Sequence, residues 1–208
     1  MSHCTSFKME FADKRILYRA MRNLNLKPES RVWAEYSSHF GKKINFNGKI
    51  IGKLLTGTFE DINIFFTELD NRLIPNFESS SLLGEYLSKK SEILLYKIRK
   101  EYIKCAVNDF SDKLARLGIS TQIQSETFGD IVSYTIRLGN YDKKYKVILN
   151  FDGDIEEKVE GISGQSCLNI SKILENQLSS SEQFNRILTS EYEITVEDQV
   201  FQVFRVIE

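Results

Sequence analysis

The spacing of hydrophobic positions changes along the chain, and each change predicts a new element. Residues 5–11 resemble a strand, and residues 13–24 carry apolar side chains at helical intervals. Between residues 31 and 70 the apolar runs become short and typical of strands, and the pair Asn47-Gly48 indicates a two-residue hairpin turn. Four strands are therefore predicted there, at residues 32–36, 44–46, 50–55 and 62–66.

The strongest periodic signal follows this β-rich stretch. Apolar residues recur at intervals of three, four or seven from Leu87 to Leu117. This pattern predicts one long helix that begins near the serines at 79–81 and ends at Gly118. The early part of this helix could break at two places, Gly84 and the sequence SKKS at residues 88–91. Three further strands are predicted at residues 119–124, 131–138 and 145–150.

The last part of the chain predicts a small ββα unit. The turn Asp152-Gly153 joins two strands, and the helix that begins at Cys167 follows them. A serine loop and a β-like stretch at residues 191–206 end the chain. The element order predicts an α+β fold. Its parts are a ferredoxin-like antiparallel sheet module with a long helix (1–140, with a variable middle at 32–92) and a small C-terminal ββα module (141–208).

Composition narrows the classes of function. The 208 residues include 28 basic and 29 acidic side chains, so no net field favours nucleic acid or an anionic membrane. No apolar run approaches the roughly 18 residues that span a bilayer. The first residues lack the pattern of a signal peptide. We therefore expect a cytoplasmic protein, or a stromal one if it is plastid-encoded, without a membrane partner.

The residues that most often carry chemistry are few. Cys4, Cys105 and Cys167 lie far apart without CxxC spacing, and His3 and His39 are the only histidines. This pattern favours neither a disulfide framework nor a zinc site. The acidic stretch at 152–157 lacks the residue order of a calcium loop, and no phosphate-loop or Ser-His-Asp motif is present. The sequence predicts no catalytic residue, metal or cofactor.

Cys167 leaves two interpretations open. Its spacing to the apolar residues Ile170 and Leu174 places it at the head of a buried helix stripe, which favours packing. Glycines just before it also suit a helix N-terminus that binds an anion or activates a thiol. The candidate anion- or partner-binding turn consists of Gly161, Gly164, Ser166 and Cys167.

Lysines on the long helix form a second candidate surface. Lys97, Lys100 and Lys104 lie among tyrosines, a pattern that nucleic-acid interfaces also use. Glutamates interleave with them, which favours a solvated helix face. Nucleic-acid binding is therefore the less favoured interpretation, and the three lysines are a candidate interaction surface.

Two stretches resemble known families. The chain begins with Met1-Ser2-His3, followed by a strand, Asp13 and a helix with an apolar stripe at Leu17, Ala20 and Met21. In these features it resembles the plastid and cyanobacterial family called hypothetical chloroplast reading frame thirty-five, a domain of unknown function. The closing part of that family also resembles a later stretch of this chain, which consists of a tyrosine-bearing helix and the strand pair that follows it. The residues that carry this second similarity are Tyr102, Val107, Gly118 and Gly129.

The second resemblance covers residues 152–178. This stretch contains, in chain order, Asp152-Gly153, Val159-Glu160-Gly161 and Gly164-Gln165-Ser166-Cys167. In this order of motifs it is similar to a short domain of unknown function, family twenty-nine ninety-seven.

The two resemblances together imply a function. The families usually occur as separate small proteins encoded beside a AAA+ ATPase. They imply a non-enzymatic accessory or adaptor protein that binds and regulates such an ATPase in a multi-protein system, for example in stress or phage defence. They transfer no catalytic residue. The alternatives are a thiol- or anion-binding protein that uses the turn before Cys167, and a nucleic-acid-binding module.

Overall fold

A computed structural model describes the protein at residues 3–26, 31–32, 36–37, 43–44, 49–55, 62–69, 72–79, 81–82, 84–139, 142–162, 164–180 and 184–189. The chain divides into two compact units. Unit 1 comprises residues 1–9 and 106–208, and unit 2 comprises residues 10–105. The predicted α+β class is confirmed, because the described strands pair antiparallel and combine with a long helix and a C-terminal ββα region.

The described elements are twelve strands and three helices. In chain order they are β1 (His3–Lys8), α1 (Lys14–Asn23), β2 (Arg31–Val32), β3 (Tyr36–Ser37), β4 (Lys43–Ile44), β5 (Lys49–Leu55), β6 (Ile62–Leu69), β7 (Arg72–Ser79), α2 (Gly84–Arg116), β8 (Thr121–Phe128), β9 (Ile131–Leu138), β10 (Lys143–Leu149), β11 (Asp154–Glu160), α3 (Gly164–Leu178) and β12 (Asn185–Leu188).

Unit 1 is built on a six-stranded sheet with the order β12-β1-β11-β10-β9-β8. Strands β8 to β11 form a meander, while β1 lies between β11 and β12. Alternate residues of β9, β10 and β11 are buried, so one face of these strands is covered. The ring contact of Phe110 with Tyr145 places the end of α2 on this face, and the contact of Cys167 with His3 does the same for α3.

Unit 2 combines a sheet of order β2-β5-β6-β7 with α1 and residues 84–105 of α2. Phe11 packs edge-on against both Phe66 and Tyr102, with ring centroids 5.4 and 5.1 Å apart. The Tyr102 hydroxyl accepts a hydrogen bond of 2.9 Å from the backbone N–H of Asp13. The Asp13 carboxylate in turn accepts from the N–H of Arg15 and caps α1.

Several element predictions are confirmed and some are wrong. Helix α2 is continuous from Gly84 to Arg116, so neither Gly84 nor SKKS breaks it, and it begins after the predicted serines because Ser79 ends β7. Gly118 follows its end with a φ of 78°. The sequence missed β7 and β12. The pair Asn47-Gly48 and the predicted strand at 191–206 lie outside the described residues.

Among the described helices, none is long and apolar enough to cross a membrane.

Candidate functional site

Polar side chains gather on the covered face of the sheet in unit 1. The ladder of β1 places Thr5 opposite Glu157 of β11 on one side and Arg186 of β12 on the other. His3 and Tyr145 belong to the next row, two residues along β1 and β10. Side chains in register on neighbouring strands share a face. The pairing therefore brings residues from four strands into one buried layer, which we call the polar layer.

His3 and Cys167 are in direct contact inside this layer. The Nδ1 atom of His3 lies 2.6 Å from the Sγ atom of Cys167, and both side chains are fully buried. Burial, and after it the positive charge of Arg186, together lower the pKa of His3 to about 4. The imidazole is therefore neutral at pH 7 and the pair contains no imidazolium.

An ion pair closes the layer toward β12. The Arg186 Nη2 atom donates to both carboxylate oxygens of Glu175 on α3, at 2.7 and 2.8 Å. Its Nε atom donates to Thr5 Oγ1 at 3.2 Å. The Arg186 guanidinium also lies 5.5 Å from the centre of the Phe184 ring. Arg186 thus connects β12, β1 and α3.

Glu157 is the most unusual member of the layer. It is fully buried beside a second carboxylate, that of Glu175, and burial together with this negative neighbour raises its pKa well above the ordinary value. Among the described residues, neither of its carboxylate oxygens has a hydrogen-bond partner of normal geometry, and the same holds for the Tyr145 hydroxyl and His3 Nε2. Tyr145 is nevertheless close enough to influence the pKa of Glu157. Burial and the neighbouring Glu175 therefore favour the neutral, protonated form of Glu157.

These protonation states determine what the layer can do. A nucleophilic cysteine needs a thiolate, which a neighbouring imidazolium or a helix N-terminus stabilises. Cys167 faces a neutral imidazole and has no exposed surface. The geometry matches a thiol that hydrogen-bonds within a core. Within the described ranges, no group of three or more His, Cys, Asp or Glu residues could hold a metal ion.

The turn before Cys167 is tightly packed. Gly161 has a φ of 73°, and a Cβ atom at this position would lie 2.7 Å from the backbone oxygen of Asp142. Gly164, with a φ of 63°, begins α3. Ser166 is buried like Cys167, whereas Gln165 is exposed. The expectation that Cys167 heads a buried stripe is confirmed, and its role in binding stays a prediction.

The lysine surface lies elsewhere, on the part of α2 that belongs to unit 2. Lys97 and Lys104 are exposed and Lys100 is half-buried. Lys104 pairs with Glu101 at 3.4 Å, and the Lys100 Nζ atom lies 5.4 Å from the centre of the Tyr96 ring. Sequence reasoning placed these lysines on the long helix, where α2 contains them, and their role as an interaction surface stays a prediction.

Sequence reasoning missed most of the polar layer. His3 lies 164 positions before Cys167, so no local spacing could connect them. The available signal was the alternation of β1, in which His3, Thr5 and Phe7 occupy inward positions. Glu157 occupies the same kind of position in β11, although a carboxylate in a strand usually points toward solvent.

Comparison with protein families finds a match in the C-terminal part of the chain. Residues 146–193 match the family described as Protein of unknown function (DUF2997). The matched segment includes β11, α3 and β12, and therefore contains Glu157, Cys167, Glu175 and Arg186 but not His3. Comparison with curated proteins finds no match.

Proposed function

We propose that the protein is a non-enzymatic accessory protein that binds a AAA+ ATPase and regulates it or delivers substrates to it. The family resemblances suggest the class of partner. The observation that supports docking is the uncovered edge strand β8.

Strand β8 is the last strand of its sheet, and β9 is its only described partner. Nearly all of its side chains from Gln124 to Phe128 are exposed on both faces, and Phe128 is 88% exposed at the hairpin tip. Natural edge strands usually carry lysine, proline or a bulge that prevents pairing with another chain. β8 has Glu126 as its only charged residue and pairs with β9 without a bulge.

An open edge of this kind suits a partner that adds a strand. Eight residues of extended chain offer an edge of about 26 Å. Main-chain hydrogen bonds along such an edge supply affinity, and an apolar anchor supplies selectivity. Phe128 and the 46% exposed Ile131 flank the turn at the tip and provide that anchor.

The test is purification of the tagged protein from its native host with nucleotide present. The wild-type protein should recover one AAA+ ATPase in near-stoichiometric amount. Phe128→Ser should lower that recovery several-fold. Ile187→Ser is the matched control, because Ile187 is also exposed, at 63%, but lies on the opposite edge of the same sheet. A neighbouring ATPase that elutes separately at micromolar concentration would refute the proposal.

A thiol-dependent function of Cys167 is the second candidate, because His3 contacts its sulfur. Iodoacetamide labelling separates the two. In the folded protein, half-buried Cys4 should be the site that reacts, and buried Cys105 and Cys167 should react only after denaturation. Cys4→Ser is the control and should leave the native protein unlabelled. Rapid native labelling of Cys167 would favour the thiol function.

A further inference from the structure

Helix α2 presents one stripe that combines positive charge with apolar side chains. At 100° per residue, six positions fall within about 80° of arc along roughly 27 Å of the helix. They are Tyr86, Lys90, Ile93, Lys97, Lys100 and Lys104, and none of them is acidic. We call these six residues the basic stripe.

The stripe is accessible along its length. Tyr86 is 68% exposed and Ile93 is 46% exposed, although both are large and apolar. The lysines are exposed or half-buried, and the Lys90 Nζ atom lies 5.9 Å from the centre of the Tyr86 ring. The nearest acid on the helix is Glu101, which is mostly buried and accepts a hydrogen bond of 2.7 Å from Asn23. Among the residues of α2, lysines therefore outnumber acids on this face.

Acidic residues elsewhere on α2 do not neutralise this face. Glu85 and Glu92 point more than about 90° away from the stripe axis. Glu85 forms an ion pair of 2.7 Å with Lys89, and Lys89 lies beside the stripe rather than in it. Charge is thus separated around the helix, with four lysines on one side.

We infer that the basic stripe binds an acidic amphipathic helix of the partner protein. This inference rests on the proposed function for the identity of the partner. Carboxylates of the incoming helix complement the lysines, and its apolar residues cover Ile93 and Tyr86. Helix packing of this kind needs an apolar contact at the centre of the charged face, and Ile93 lies at that centre.

The apolar residues of the stripe favour a protein helix over single-stranded nucleic acid. Nucleic-acid strands need aromatic side chains on which bases can stack. Tyr96 is buried, Ile93 is aliphatic, and Tyr86 lies at one end of the stripe. The balanced charge of the whole chain also supplies no long-range attraction for a phosphate backbone.

Photo-crosslinking tests this inference on the intact protein. Benzoylphenylalanine replaces Ile93, and the crosslinked peptide is identified by mass spectrometry after irradiation in the native host. We expect a peptide of net negative charge from the AAA+ ATPase. The double variant Lys97→Gln/Lys100→Gln should reduce the crosslink about ten-fold, since both substitutions remove complementary charge. The matched pair Lys144→Gln/Lys172→Gln, which makes the same change of charge away from the stripe, should not reduce it.

The other outcomes overturn the inference in distinct ways. A nuclease-sensitive product would identify nucleic acid, and a product with a second copy of the chain would identify self-association. Absence of a crosslink, or a crosslink that the stripe variant leaves unchanged, would exclude the stripe as the docking surface. If the tagged protein still recovers the ATPase in that case, the proposed function stands. An acidic peptide from an unrelated protein would keep the stripe as a docking surface and refute the ATPase as the protein that occupies it.

Discussion

Burial of the His3 imidazole makes the stability of the protein depend on pH. Native His3 has a pKa of about 4, whereas an unperturbed histidine has a pKa of 6.5. Between these values the unfolded chain binds a proton that the native state does not bind, so stability falls as pH is lowered through this window. Cys167 on α3 contacts His3 and Arg186 on β12 influences its pKa, while Tyr145 of β10 and Glu157 of β11 lie in the same layer.

We therefore predict that the wild-type protein loses about 3 kcal/mol of stability relative to His3→Gln between pH 6.5 and pH 4. Glu157 acts in the opposite direction, because its raised pKa contributes stability below about pH 4.5 that is lost as pH rises. Both proteins retain Glu157, so the difference between them isolates His3. Urea denaturation at several pH values measures it. If the free energy of unfolding changed with pH in the same way in both proteins, the pKa of His3 would be the same in the native and the unfolded state.

The backbone at Gly161 leaves no room for a side chain. An alanine there meets the backbone oxygen of Asp142 at 2.7 Å and must adopt a φ of 73°. We predict that Gly161→Ala lowers the free energy of unfolding by about 2–4 kcal/mol, through overpacking and backbone strain together. The control is Gly129→Ala, at a φ of 57° with nothing within 4 Å, which should cost only about 1 kcal/mol. Equal losses in denaturant titrations would mean that the contact with Asp142 does not matter.

At the scale of elements, β12 is a short edge strand that a buried ion pair holds in place. It has four residues, and Arg186 connects it to Glu175 at 2.7 Å. Removal of one partner from a buried pair leaves an uncompensated charge and commonly costs about 3–5 kcal/mol. We predict that Glu175→Gln increases amide hydrogen exchange in β12 before it affects β10. Leu168→Ala, a half-buried change on the same helix, is the control. Unchanged protection of residues 185–188 would show that the ladder with β1 alone fixes this strand.

The elements differ in how well the sequence predicted them, and the reasons are physical. Most of helix α2 follows from its periodicity, because the apolar residues at intervals of three and four that predicted it include buried ones such as Ile98, Tyr102 and Phe110. β7 contains Pro75, which normally argues against a strand, but β7 lies at a sheet edge where proline is tolerated. The polar layer was beyond prediction, because it depends on the register of β1 with β11, whose paired residues are about 150 positions apart.

At the scale of the whole molecule, the residues near the start of the chain complete the sheet of its C-terminal part. β1 pairs with both β11 and β12, and β10 pairs with β9. The domain boundary predicted near residue 140 separates the two stretches that resemble different families. This boundary stays a prediction. The compact units divide the chain differently, because residues 1–9 and 106–139 belong to the same unit as β10 and β11.

This connectivity predicts that the chain can be cut between residues 140 and 141 and reassembled. The fragment 141–208 alone lacks β1 and β9, so it should not fold, because its hairpin and α3 bury too little apolar surface without them. Mixed with the fragment 1–140, it should form a stable 1:1 complex with dispersed amide signals in NMR spectra. Thr5→Pro in the larger fragment should abolish assembly, since a proline in a strand paired on both sides removes ladder hydrogen bonds. If the two fragments instead fold separately and do not associate, the boundary at residue 140 marks two independent domains.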